Sequence, residues 1–341
     1  MRRALVPVLA ALLALAPLVP MAGMKQYVLH VMIQILIWSF IGGAWSLMGR
    51  FGLVSLGHGA FLGLGAYATV LLWNFWAWSP WLGGAVAVVL TAILAAVVAY
   101  PCSRFQVVGH YFGLVTLAVG EVIRLLIIAE RDWTGGSLGV SLKPVGSDSL
   151  WALQFADKRV FYYGALALWL AGLWVWHRVD RSMARSAMEA IGEDETAAAS
   201  VGIHVTRFKI AITVLSAALT AVGGVAYAQY IAYVNPDTLA GIGVSLRIVF
   251  AVVLGGMYSL LGPAVGAALT IALSEWLRIA FGLKLIGMAE TIYGFLLVVF
   301  IIFLPAGIVG SAGGLLRGGP RYGPPHPPEL VAPRRSRGAP R

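Results

Sequence analysis

Residues 81–101 read WLGGAVAVVLTAILAAVVAYP, a run without one acidic or basic side chain. At 1.5 Å per residue a helix of that length covers about 30 Å, the thickness of a bilayer's hydrocarbon core. Long, mostly apolar runs recur at 4–22, 28–49, 53–73, 108–128, 160–177, 209–232 and 289–309, the one at 108–128 holding Glu121 and Arg124. Of the 341 residues, 60% are apolar and 11% charged, against roughly 45–50% and 25% in soluble domains. One soluble core cannot hide that surplus, which excludes a soluble enzyme, a disordered chain and a disulfide scaffold. The lone cysteine, Cys102, leaves no intrachain disulfide and no cysteine metal cluster. The fold class is therefore an all-α polytopic membrane protein.

The stretch 245–281 decides the number of crossings. Either one tilted helix spans it, or Gly255-Gly256 ends a short crossing and Pro263 opens the next helix. Cytoplasmic loops carry an excess of Lys and Arg. With Arg2 and Arg3 inside, the broken reading puts fifteen basic residues inside and eight outside, Arg247 and Arg278 among the eight. The unbroken reading leaves the two sides nearly equal. The expectation is thus about 9–10 crossings, one of them short and Gly-broken, with both termini cytoplasmic. Arg2 and Arg3 before an apolar run could mark a leader, but the run is long and lacks a clean cleavage site, so a retained helix is expected.

Within a membrane-embedded body at 1–310, two long polar segments stand out: an outer loop at 129–159 and a cytoplasmic loop at 178–208. The second predicts two short helices. The first runs over 184–191 and ends at Gly192; Asp194 caps the next, Glu195 opposes its dipole and Gly202 ends it. Glu193, Asp194 and Glu195 would form a compact acidic cluster. Such a pair suits a partner's groove as well as it suits a solvated connector. Residues 311–341, rich in Pro, Gly and Arg, predict a disordered basic tail at the lipid surface, and net charge +10 needs no nucleic-acid partner. A faint echo links Ser55-Leu56-Gly57 with Ser259-Leu260-Leu261-Gly262; Gly-interrupted pairs of this kind point to a transport path or to close helix packing.

No motif for chemistry is present. There is no G-x-x-x-x-G-K-[ST], G-x-S-x-G or H-E-x-x-H, and the six histidines lack metal-ligand spacing. Candidate path residues are Ser55, His58, Thr116, Glu121 and Ser259. An acid inside a crossing is by default functional, yet Glu121 sits three residues before Arg124, and pairing between them is the favoured reading. His58 and Thr116 read first as hydrogen-bonding residues of the helix bundle. Asn235-Pro236-Asp237 reads as an outer turn, with Asp237 a weak contact for a partner.

Several ordered blocks are familiar: GRFGLVSLGHGAFLGLGAYATVLL at 49–72, YFGLVTLAVGEVIRLL at 111–126, EAIGEDETAAASVGIHVTRFKI at 189–210 and VLGGMYSLLGPAVGAAL at 253–269. They resemble the permease subunits of ABC importers for branched-chain amino acids, in the LivM-like branch, over roughly 28–310. The resemblance implies a translocation subunit rather than an enzyme, in a bacterial inner membrane. It implies a second, LivH-like permease, two cytoplasmic ATPases that use ATP and magnesium, and a periplasmic substrate-binding protein. It also implies that Glu189, Glu193, Asp194, Glu195, Ala198 and Gly202 belong to the loop that docks on the ATPase. Importers of urea and short amides share this architecture and form the alternative; a channel or secondary transporter would need more intramembrane acids than Glu121.

Overall fold

The computed structural model describes residues 2–15, 17, 25–281, 291–292, 294–295, 298–299, 303 and 307–315. The long helices are α1 (Arg2–Leu15), α2 (Lys25–Gly49), α3 (His58–Trp76), α4 (Pro80–Arg104), α5 (His110–Ala129), α7 (Lys158–Asp180), α10 (Val205–Ile231), α12 (Ile242–Gly255) and α13 (Gly262–Phe281). Short ones connect them: α6 (Arg131–Thr134), α8 (Met183–Glu193), α9 (Glu195–Ser200) and α11 (Pro236–Leu239), with α14 (Gly307–Leu315) last. Among the described residues, seven helical segments are long and apolar enough to cross a membrane, the last being Pro236–Gly255, which joins α11 to α12. The protein is an all-α polytopic membrane protein. α13 has the length of a span, and Glu275 and Arg278 near its end reduce its apolar character.

α2 is the axis of the bundle. It is apolar all round, which marks a helix with neighbours on every side. Leu29, Ile33, Ile37, Ile41, Trp45 and Met48 are all buried. α7, α10, α12 and α13 pack on it. Small residues let the remaining helices close in, because in lipid packing replaces the hydrophobic drive. A Cβ on Gly65 or Gly224 would overlap backbone of α10 or α3 respectively. α4 and α5 sit outside, with Val89, Ile93, Val97, Leu114, Val122 and Leu125 exposed.

The expected break in 245–281 is present. α12 stops at Gly255, Gly256 has φ +112°, and α13 resumes at Gly262 with Pro263 in its first turn. The break packs against Gly42, whose Cβ would lie 3.0 Å from Val252 and 3.4 Å from Pro263. Gly42 is seven residues, about 10 Å, short of the end of α2. α13 then runs back along α2 until Glu275 meets Tyr27.

The structure corrects three boundaries. The crossing expected at 53–73 begins only at His58. Residues 53–57 are unwound, and their polar backbone is met locally: Thr116 Oγ1 accepts from Leu56 N (3.0 Å), and Trp45 Nε1 donates to Ser55 O (2.9 Å). Irregular backbone at membrane depth survives only when protein satisfies it in this way. Gly192 does not end its helix but lies inside α8, because Asp194, two residues on, supplies the stop. α14 carries helix through 311–315, so the tail cannot begin at 311. The crossing expected at 289–309 and the tail beyond 315 fall largely or wholly outside the described residues. The first run forms α1 over 14 residues, about 21 Å, and 18–24 lie outside the description.

Contacts sort the loops to two ends. At one end Arg50 and Arg185 reach Asp180, and Lys209 pairs with Glu195. At the other, Lys143 Nζ donates to Asn74 O, Lys158 Nζ to Gln26 O, and Arg278 to Glu275. There the 130–157 loop is ordered by the two-residue strands β1 (Val140–Ser141) and β2 (Tyr233–Val234) and by Asn74, which binds Ser141 O and Lys143 N.

Candidate functional site

The loop at 178–208 folds onto the bundle. α8 turns Ala187, Met188 and Ile191 inward, the spacing of one helix face, against a cluster that includes Leu47, Leu53, Cys102 and Trp176. Met183, Ser186, Glu189 and Glu193 remain exposed. Asp194 is the N-cap of α9 and accepts from Thr196 N (2.7 Å) and Ala197 N (3.0 Å). At the far end Gly202 has φ +90°, Gly202 N donates to Ala199 O and Ile203 N to Ala198 O. That is the paired-bond helix stop for which glycine is preferred.

The acidic residues therefore do not form one patch. Glu189 pairs with Arg185 along α8 (2.7 Å), Asp194 is engaged in its cap, and Glu195 turns inward to the buried Lys209. Ala198 is buried. The outward face includes Met183, Ser186, Glu189, Glu193 and the apolar Val201. Beneath it Arg50 lies 4.2 Å from the Trp176 ring and 3.0 Å from Asp180. Burial lowers the Arg50 pKa from its ordinary value, and Asp180 opposes that shift. This latch ties the ends of α2 and α7 to the start of α8.

The five path candidates scatter. Ser55 Oγ accepts from Gly57 N (3.2 Å). Thr116 joins α5 to the unwound segment. His58 Nε2 lies 2.9 Å from Ser216 Oγ, which itself donates to Ala44 O at 2.7 Å. The hydroxyl has one proton, so it accepts from His58, whose proton is on Nε2. His58 Nδ1 is buried and has no hydrogen-bond partner among the described residues. These three form one junction between α2, α3, α5 and α10. Ser259 stands apart and closes the turn at the α12–α13 break by donating to Gly256 O (3.1 Å). Glu121 chelates Arg124 (2.6 Å), and Arg124 also reaches Asp237 (2.7 Å). That ion triad staples α5 to α11, with Asp237 completing a pair read from sequence as local.

None of the five lines a cavity of about 170 Å³ between α2, α10, α12 and α13. Its polar wall is His30, Gln34, Arg247, Thr270, Ser274 and Glu275. Its apolar wall includes Val31, Trp38, Ile248, Ala251 and Ile271. Sequence reasoning missed it. The available signal was Arg247 and Glu275, a cation and an acid inside apolar runs; the charge count had assigned Arg247 to an outer loop instead.

The family model described as branched-chain amino acid transport system / permease component matches residues 27–304. The chain is similar to the high-affinity branched-chain amino acid transport system permease protein LivM of Salmonella typhimurium, 29% identical over 285 residues. That match covers 77% of this chain and 65% of the relative, so the chain spans a little under two thirds of that protein's length. LivH of the same organism is 25% identical over 77% of this chain and 87% of its own. The fructose import permease protein FrcC of Rhizobium meliloti is 31% identical over 36% of this chain and 35% of its own. No solved structure matches the chain.

Proposed function

Because the chain belongs to the family of branched-chain amino acid transport permease components, we propose that it is a membrane subunit of an ATP-driven importer for leucine, isoleucine and valine. The likeness to LivM over 77% of the chain carries this reading. The subunit itself hydrolyses nothing. A LivH-like permease stands beside it, two ATPases that use ATP and magnesium dock on α8 and α9, and a binding protein delivers substrate at the opposite end. In that arrangement the end holding Arg50, Arg185 and Lys209 is cytoplasmic, in keeping with the positive-inside rule, as are both termini. Glu189, Glu193 and Val201 face the ATPase; Asp194, Glu195, Ala198 and Gly202 hold the loop in shape.

The test is uptake of radiolabelled leucine by cells with and without the gene, competed by isoleucine, valine, fructose or urea. Gene-dependent uptake that yields only to isoleucine and valine is expected. Unchanged leucine uptake with loss of urea or fructose uptake would overturn the substrate.

A further inference from the structure

We propose that the second permease of the importer seats a membrane-spanning helix on the exposed face of α5 and α11, along a seam centred on the Glu121–Arg124–Asp237 triad. The inference rests on the transport reading above and adds to it the surface by which the partner is held.

Depth is the first observation. Glu121 stands eleven residues from the start of α5 and eight from its end, about 16 and 12 Å at the helical rise, so it lies in the middle of the span. Contacts between helices place it the same way. Thr116, five residues earlier, accepts from Leu56 N. His58, two residues on from Leu56, is tied through Ser216 to Ala44 O, itself five residues inside the end of α2.

Exposed charge is the second. The Glu121 side chain is 40% exposed and that of Asp237 62%, with Arg124 between them. Arg124 holds both Glu121 oxygens. The Asp237 carboxylate accepts from Arg124 through Oδ1, and its Oδ2 has no hydrogen-bond partner among the described residues. Two acids and one guanidinium leave a net negative charge. Hydrocarbon does not tolerate exposed charge at mid-span; such groups face protein or water. The other outer helices differ, since 82–100 of α4 and 160–176 of α7 hold no charged residue, as suits lipid. The face of α5 therefore needs a cover. Its free acceptor fits a partner helix with a hydroxyl, amide or basic donor at the same depth.

Shape is the third. Tyr111, Leu114, Ala118, Glu121 and Leu125 recur at intervals of three and four, the spacing of a helix–helix seam, and all but Glu121 are fully exposed. Ala118 near the centre lets another backbone approach closely. The opposite face of α5, with Gly113, Thr116 and Gly120, packs on the unwound 53–57 segment. An apolar stripe alone would suit lipid; one with exposed acids at its middle does not.

The experiment is photocrosslinking in cells that carry the whole transporter. The photoreactive residue p-benzoylphenylalanine replaces Leu114 or Leu125 on α5, and Ile93 or Val97 on α4 as lipid-facing controls; all four are exposed. Irradiation is expected to join the α5 positions to a second permease of the same family, identified by mass spectrometry, and to give no such adduct at Ile93 or Val97. Ala118→Trp should abolish the adduct at Leu125 while the amount of chain in the membrane holds, because Ala118 is exposed. Ala118→Leu serves where the Trp variant does not accumulate, and Ile93→Trp should leave the adduct unchanged. Absence of a protein adduct at both Leu114 and Leu125 overturns the proposal. So does the same adduct in equal yield from α4, and so does an adduct with a second copy of this chain in place of a different permease. Cellular uptake is read separately: gene-dependent leucine uptake without an α5 adduct removes the seam and leaves the transport reading standing, whereas the adduct without gene-dependent leucine uptake keeps the seam and removes the substrate.

Discussion

Lys209 is 4% exposed, and its ammonium meets Glu195 fourteen residues away. Removing one partner of a buried pair strands the other charge, at a cost of about 3 kcal/mol here, the low end of the usual range because Glu195 keeps some exposure. Glu195→Ala is thus expected to lower the melting temperature of the purified chain. Adding Lys209→Met should restore most of it, since an apolar replacement carries no charge to strand; a double variant no more stable than Glu195→Ala would refute the pairing. Loss of ATPase association in Glu195→Ala would consequently report a collapsed loop as readily as a lost contact. Glu193→Lys is the sharper probe of docking. It is exposed, its stability change should stay within about 0.5 kcal/mol, and ATPase co-purification should fall; unchanged co-purification would remove Glu193 from the docking face. The difference between these neighbours marks what sequence can show. Asp194 and Gly202 were legible because caps are made by backbone two or three residues away. The Glu195 partner lies on another helix, and adjacent acids read from sequence as one cluster.

The same contrast holds for elements. Gly255-Gly256 and Pro263 announce their break, since both the stop and the start are local chemistry. The unwound 53–57 segment does not, because Leu53, Val54 and Leu56 suit a helix and the hydroxyl that captures Leu56 N belongs to Thr116 on α5. The echo between Ser55-Gly57 and Ser259-Gly262 is structural: each is a stretch leading into a helix that carries more than one glycine, α3 in one case and α13 in the other. The closeness of the α12–α13 arms can be tested by paired substitutions. A Cβ on Gly266 would overlap the Ala251 carbonyl, whereas one on Gly243 meets nothing within 4 Å. Gly266→Ala should destabilise by about 1–3 kcal/mol through overpacking. Gly243→Ala should stabilise by about 0.5–1 kcal/mol, because alanine loses less backbone entropy within a helix. Thermal melts of both variants check the pair, and equal effects would mean that the arms are not in contact.

For the whole molecule, composition sufficed to assign a membrane bundle, and the density of basic residues sufficed to choose the broken helix. The cavity was out of reach because four helices make it, drawn from positions as distant as His30 and Glu275; each charge was visible, but not that the two share one space. The sorting of loops to two ends yields the last prediction. Cys102 is the one cysteine of the sequence and is buried, so Cys102→Ser provides a background without thiols. On it, Ser186→Cys places a thiol on the exposed face of α8, and Trp151→Cys places one in the 130–157 loop, where Trp151 is 68% exposed. A membrane-impermeant maleimide applied to intact cells should label the second and spare the first, and inverted vesicles should reverse the pattern. Labelling of both from one side would break the two-ended arrangement. Labelling in the opposite sense would keep that arrangement but turn α8 and α9 away from any cytoplasmic ATPase, and the importer reading would fall with them.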